Sequence, residues 1–250
     1  MAAKSASTRR DPIKWILLVG CVVGIAVAYY YLGRPLIIRY FAVEPDFNRY
    51  PVRGIDVSNH NGDIDWEQVA GENYRFAYIK ASEGVTYRDP RFRANADAAR
   101  KQGLKVGAYH FFRNDREGLK QAENFLDAVD GIDLDLPMVI DVEDTGNDRS
   151  VEPEVIGRRL QDMITRLQDS KRRVMIYTNG DGYQKFYKPR NSHLDLWLSS
   201  FRSPDEIKES HHPRIQQFSH WGEVAGIDGN VDLNIFVGSA KEWDSWTDYD

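Results

Sequence analysis

The sequence predicts an α/β fold: an irregular, incomplete (β/α) barrel, preceded by a single transmembrane helix. Three observations carry that prediction. Residues 15–32 (WILLVGCVVGIAVAYYYL) contain no charged side chain. After Pro51, short apolar runs recur: VRGIDVS, FAYIKA, LKVGAYHFF, LPMVIDVE, RRVMIYT, LDLWLSS, PRIQQFS and VDLNIF. Helical patterns lie between several of these runs, and alternation of that kind implies a mostly parallel sheet flanked by helices. Up to eight strands within roughly 190 residues suit a compact, incomplete barrel better than a full-size one.

The apolar run comes first in the chain. Eighteen residues at about 1.5 Å each span roughly 27 Å, close to the thickness of a hydrocarbon core. Trp15 and the triplet Tyr29, Tyr30 and Tyr31 mark its ends, where amphipathic rings prefer the interface. Lys4, Arg9, Arg10 and Lys14 precede it against Asp11 alone, while Arg34 and Arg39 follow. This bias favours a cytoplasmic N-terminus and an extracytoplasmic remainder. A cleaved signal peptide is another reading, disfavoured because no convincing small-x-small site precedes the tyrosines. A lipidated Cys21 within Leu18-Val19-Gly20-Cys21 and a buried helix are the other readings of the run. The expected layout is therefore 1–14 as a cytoplasmic segment, 15–32 as the anchor and 33–50 as a stalk broken by Pro35 and Pro45. A barrel domain over 51–237 follows, then an acidic and aromatic tail over 238–250 with no assigned role.

Within 51–237 each run has four to eight β-favouring residues bounded by polar or turn residues. Asp89-Pro90 opens a helix that Gly103 closes, and another pattern covers about 117–129. A third, about 153–168, aligns Val155, Ile156, Leu160, Met163, Ile164 and Leu167 on one face. The last three strands have few helices between them, so that sector should be irregular. Composition narrows the function. The 28% charged residues exclude a polytopic membrane protein, and 12% aromatic residues exclude wholesale disorder. One cysteine excludes a disulfide framework and a cysteine-based zinc site. A net charge of -5 argues against nucleic acid as a partner.

Chemistry in a parallel barrel gathers where strands run into loops. Acids stand there in three of the runs: Asp56 in RGIDVS, Asp141 and Glu143 in VIDVED, and Asp232 in VDLN. Asp141 and Glu143 are two apart, so a strand places both on one face with Cα atoms roughly 6.5–7 Å apart. Glycosidases use carboxyl pairs about 5 to 9.5 Å apart, and close like charges keep one acid protonated. Helix caps, ordinary ion pairs, or a calcium or magnesium site would also use such acids. The stretch NHNGDID fails as a calcium loop, because alignment on Gly62 puts Val57 where the first aspartate must stand. No HExxH, G-x-S-x-G, phosphate loop or dinucleotide fingerprint occurs. His110 and His220 are further candidates, whereas His211-His212 reads as a surface turn. Tyr78, Tyr109, Phe111, Tyr177, Trp197 and Phe218 lie in or beside strands and offer rings either to a core or to pyranose faces. Tyr109 and Tyr177, near strand ends, are the stronger candidates for the latter.

Taken together, RGIDVSNHNGDIDW, FAYIKASEGVTYRDPRF, GLKVGAYHFF, LPMVIDVED, IYTN, LWLSS, QF and GNVDLNIF resemble glycoside hydrolase family 25, the muramidases, in the family's order. The resemblance covers about 51–237. It implies cleavage of the β-1,4 bond between N-acetylmuramic acid and N-acetylglucosamine in bacterial peptidoglycan, with no cofactor or metal. It further implies Glu143 as general acid, and Asp141 as the residue that orients the acetamido group or steadies the cation-like transition state. Asp56 and Asp232 would line the cleft, with Tyr109, Tyr177, Trp197 and Gln217 as substrate-binding residues. The family commonly has an aromatic residue where this chain has Gln216, so one stacking surface is expected to be missing. The chitin-cleaving pattern D-x-x-D-x-D-x-E fails at Val139. The expectation is a single-pass enzyme of the bacterial cytoplasmic membrane with its barrel facing the wall. The alternative is a barrel in a wall-remodelling complex that binds glycan without cutting it.

Overall fold

The computed structural model describes residues 12–248 and divides into two compact units, Met1–Ala42 and Val43–Asp250. In the first, α1 (Pro12–Ala28) passes through a π-helical turn, Tyr29–Gly33, into α2 (Arg34–Phe41). Ile13–Gly33 is long and apolar enough to cross a membrane, and none of its side chains is buried. Pro35 does not break this run as expected. The π-helical turn Tyr29–Gly33 comes directly before α2, and the helix continues to Phe41. Lys4, Arg9, Arg10 and Asp11, on which the orientation bias rests, lie outside the described residues.

The second unit contains strands β1 (Arg53–Val57), β2 (Tyr74–Glu83), β3 (Tyr87–Arg88), β4 (Lys105–Phe111), β5 (Met138–Asp141), β6 (Val174–Asn179), β7 (Asp195–Ser199), β8 (Ile215–Gly222) and β9 (Val231–Phe236). All but β3 join a closed ring, β1-β2-β4-β5-β6-β7-β8-β9, which returns to β1. These eight are the eight apolar runs of the sequence. Neighbours are parallel except at β9, which runs antiparallel to both β8 and β1. β3 forms a short hairpin edge on the end of β2.

The helices are α3 (Trp66–Gly71), α4 (Phe92–Lys101), α5 (Gly118–Ala128), α6 (Pro153–Asp169), the single turn α7 (Gly180–Gly182), α8 (Pro204–His211) and α9 (Ala240–Thr247). Local chemistry explains their ends. The Asp65 carboxylate accepts the N–H groups of Glu67 and Gln68 to start α3, and Gly103 leaves α4 at φ +83. The buried stripe of α6 is Ile156, Leu160, Met163, Ile164 and Leu167. It belongs to an apolar layer between ring and helices that includes Ile55, Ile79, Val106, Ile140 and Ile176.

What is incomplete is the helical layer, not the ring. No helix connects β8 to β9. That sector is covered instead by the chain before β1, where Phe47 and Tyr50 pack with Phe218, Ile235 and Val237. A second core fills the ring itself: Phe76, Tyr78, Val139, Met175, Trp197 and Phe236, together with Trp243 and Trp246. The rings of Phe76 and Tyr78 occupy the places where side chains at Gly54 and Gly107 would stand, which requires glycine there. The tail after residue 237 is thus part of the barrel. A Ser239–Glu242 capping box starts α9, and its two tryptophans close the end of the ring.

Candidate active site

The site forms at the rim where the parallel strands end. Asp56 is the fourth residue of β1 and lies directly across from Asp232 of β9. Asp232 is the second residue of its strand, yet the antiparallel course of β9 brings it to the same rim. Asp141 is the last residue of β5, in register with Tyr177 of β6 and Phe111 of β4. Beyond it Val142 turns outward into the helix layer and Glu143 turns back to the cavity. Two side chains hold that extension: the Thr178 hydroxyl donates to Val142 O at 2.7 Å, and Asn147 Nδ2 donates to Glu143 O at 2.9 Å.

A cavity of about 210 Å³ brings together Asp56, Asp141, Glu143, Asp232, Tyr109, Tyr177, Trp197 and Gln217. Lys80 and Phe111 complete its lining. Lys80 was missed as a site residue, although a lysine inside the apolar run FAYIKA was the available signal. Its ammonium donates to Glu83 at 2.7 Å and lies 5.2 Å from the centre of the Phe111 ring.

Gln217 organises one side of the cavity. Its amide nitrogen donates to Asp56 Oδ2 at 3.0 Å and to Asp232 Oδ2 at 3.1 Å. Its amide oxygen accepts from the Tyr177 hydroxyl at 2.8 Å and faces His220 Nε2 at 2.8 Å. Asn234 Nδ2 also donates to Asp56 Oδ2, at 2.7 Å, and is oriented by Trp197 Nε1, which donates to Asn234 Oδ1 at 2.8 Å. Trp197, at the base of the cavity it lines, is only 2% exposed and packs against Tyr78 and Tyr177.

The pKa values of the four acids are raised above their ordinary range. Burial, then the neighbouring Asp232, pushes Asp56 up to about 7, against the pull of Asn234 and Gln217. Burial, then Asp144 and Asp56, raises Glu143 to about 7. Asp232 rises to about 6 through burial and Glu143. Asp141 is raised well above the ordinary range by burial, Glu143 and Asp56, and its Oδ1 has no hydrogen-bond partner among the described residues.

Other expectations change. His110 is not at the site: it is fully buried, with Nδ1 2.8 Å from Ser82 Oγ and Nε2 3.2 Å from Gln121 Oε1. Tyr78 and Phe218 belong to cores. Gln216 points away from the cavity and donates to the carbonyls of Ser200 and Arg202. Strand alternation puts Gln217 inside, so an aromatic at 216 would not wall the cavity and no stacking surface is lost there. Among the described residues, no group of three or more His, Cys, Asp or Glu side chains is arranged to hold a metal ion.

Comparison with known proteins agrees with this geometry. Over 228 residues the chain is 32% identical to the protein YegX of Escherichia coli K12, covering 88% of this chain and 81% of that protein. It is 34% identical over 206 residues to lysozyme M1 of Streptomyces globisporus, covering 76% and 69% of the two chains. The solved structure of a family 25 glycosyl hydrolase from Bacillus anthracis superposes with a TM-score of 0.74 at 32% identity, over 82% of this chain and 97% of that one. A family model described as glycosyl hydrolases family 25 matches residues 55–227, and the chain belongs to that family.

Proposed function

We propose that the protein is a muramidase of the lysozyme type, cleaving the β-1,4 bond between N-acetylmuramic acid and N-acetylglucosamine in peptidoglycan. The observation that carries this reading is a cavity with four carboxyl groups, one of which, Glu143, is half-buried with its pKa raised to about 7. A protonated Glu143 donates its proton to the glycosidic oxygen as the bond to the sugar's anomeric carbon breaks; the oxygen of a water molecule ends on that carbon and a water proton returns to the Glu143 carboxylate. Asp141 presents an unpartnered oxygen beside it, suited to accept the N–H of the acetamido group. Asp56 and Asp232, tied together by Gln217, supply negative field to the cation-like transition state whenever they ionise. Tyr109 and Tyr177 line the cavity walls and serve as ring contacts.

The apolar helix Ile13–Gly33 supports a membrane tether. Twenty-one residues at about 1.5 Å each reach across roughly 31 Å of hydrocarbon. In this reading the enzyme is a single-pass protein of the bacterial cytoplasmic membrane and the barrel acts outside it. Protease added to spheroplasts should then cut the barrel, and alkaline carbonate should leave the full chain in the membrane pellet.

The decisive test is mass analysis of digested glycan. Wild-type protein should release fragments with new reducing muramic acid ends. Glu143→Gln should lower that release by about 10²- to 10⁴-fold while melting no lower than the wild type. Glycan retention without new reducing ends in the wild type would mean a binding protein instead.

A further inference from the structure

A glycan strand continues on both sides of the bond that is cut, beyond the residues that line the cavity. We propose that Phe201, His220 and Trp221 form a stacking platform on the rim of the cavity, which receives a further N-acetylhexosamine ring of the same strand. The proposal rests on the muramidase reading above.

Three independent features point to it. First, β8 carries two irregularities, between Gln217 and Ser219 and between Ser219 and Gly222. Such bulges re-aim side chains and are enriched beside active sites. Here they carry His220 to the cavity side, with Nε2 2.8 Å from Gln217 Oε1 and 3.3 Å from Ser199 Oγ. Because Gln217 lines the cavity, the platform is continuous with it. Second, the three rings form a cluster of their own. Phe201 lies 5.0 Å from His220 and 5.1 Å from Trp221, centre to centre, and His220 lies 5.9 Å from Trp221. None belongs to the three cores; Phe201 and Trp221 are half-buried and His220 is exposed. Third, the backbone beneath is fixed. Phe201 O accepts from Val43 N at 3.0 Å, and Ser200 N donates to Gln217 O at 3.0 Å. Rings held in place lose little freedom on binding, which favours a planar, partly apolar ligand such as a pyranose face.

The test uses the full chain in detergent, with soluble glycan strands stripped of peptides as substrate. Phe201→Ala and Trp221→Ala should each raise KM for long strands roughly three- to tenfold with kcat within about twofold, the loss of one stacked ring. Trp221→Phe should recover most of the affinity. In a Glu143→Gln background, adding Trp221→Ala should reduce retention on insoluble peptidoglycan by a similar factor. An unchanged KM in both alanine variants, or a fall in kcat alone, would overturn the platform. Should an alanine variant lose its melting transition, Phe201→Leu and Trp221→Leu keep apolar volume without a ring, and the same KM shift decides. Absence of any cleavage by the wild type would overturn the muramidase reading instead, so the two failures are distinct.

Discussion

Glu143 and Asp144 are adjacent in sequence but differ in surroundings. Asp144 pairs with Lys185 in a half-exposed position, and its charge helps hold the proton on Glu143. An acid that must donate a proton works below its pKa, so activity should fall as pH rises through about 7. Asp144→Asn removes one cause of the raised value and leaves Lys185 unpaired nearby. The alkaline limb of kcat/KM against pH should therefore move to lower pH, and an unmoved limb would contradict this assignment. Asp141 yields a stability prediction of opposite sense to most core changes. A carboxyl whose folded-state pKa is raised stabilises the fold less as pH climbs above its unfolded value, about 4. Asp141→Asn should therefore raise Tm by about 3 °C or more at pH 7, with a smaller gain at pH 5, while activity falls. Calorimetry at the two pH values checks both sign and trend.

At the level of elements, α9 shows what pattern reading overlooked. The stretch after residue 237 looked like a tail because it is short, acidic and rich in aromatics. Two signals for a helix were present: the S-x-x-E spacing of Ser239 and Glu242, and tryptophans three apart at 243 and 246. Trp243 packs on Phe76 and Phe236 at ring distances of 5.0 and 5.4 Å. Trp243→Ala should cost about 3–5 kcal/mol, measured by urea unfolding, because the far end of the ring cannot collapse onto the space. The eight ring strands were legible because each is an apolar run buried on both faces. The direction of β9 was not, since a strand's side-chain pattern reads the same both ways. That is why Asp232 could be named from sequence while its route to the cavity could not. Lys80 and Asn234 stayed hidden for a related reason: a polar residue in an apolar strand shows its partner only after the strands are in register.

For the whole molecule, the proposed tether gives the two units separate tasks. The apolar side chains of Ile13 to Leu32 are exposed, a surface no isolated soluble protein would leave uncovered. Removal of residues 1–42 should therefore give a soluble barrel with the wild-type Tm of its melting transition and kcat on soluble glycan strands within about twofold. The full chain should require detergent. The barrel's own closure has a further consequence. Its first strand, Arg53–Val57, is bonded to its last, Val231–Phe236, and the tryptophans that fill the far end come later still. Contacts that distant in sequence slow folding, because the long intervening loop must be closed before it is rewarded. While a ribosome is still making the chain, β1 and β8 each present an unpaired strand edge that only residues beyond Asn230 can satisfy. The domain must therefore wait, open-edged, for its last strand, and that interval is when it is most exposed to aggregation and to proteases.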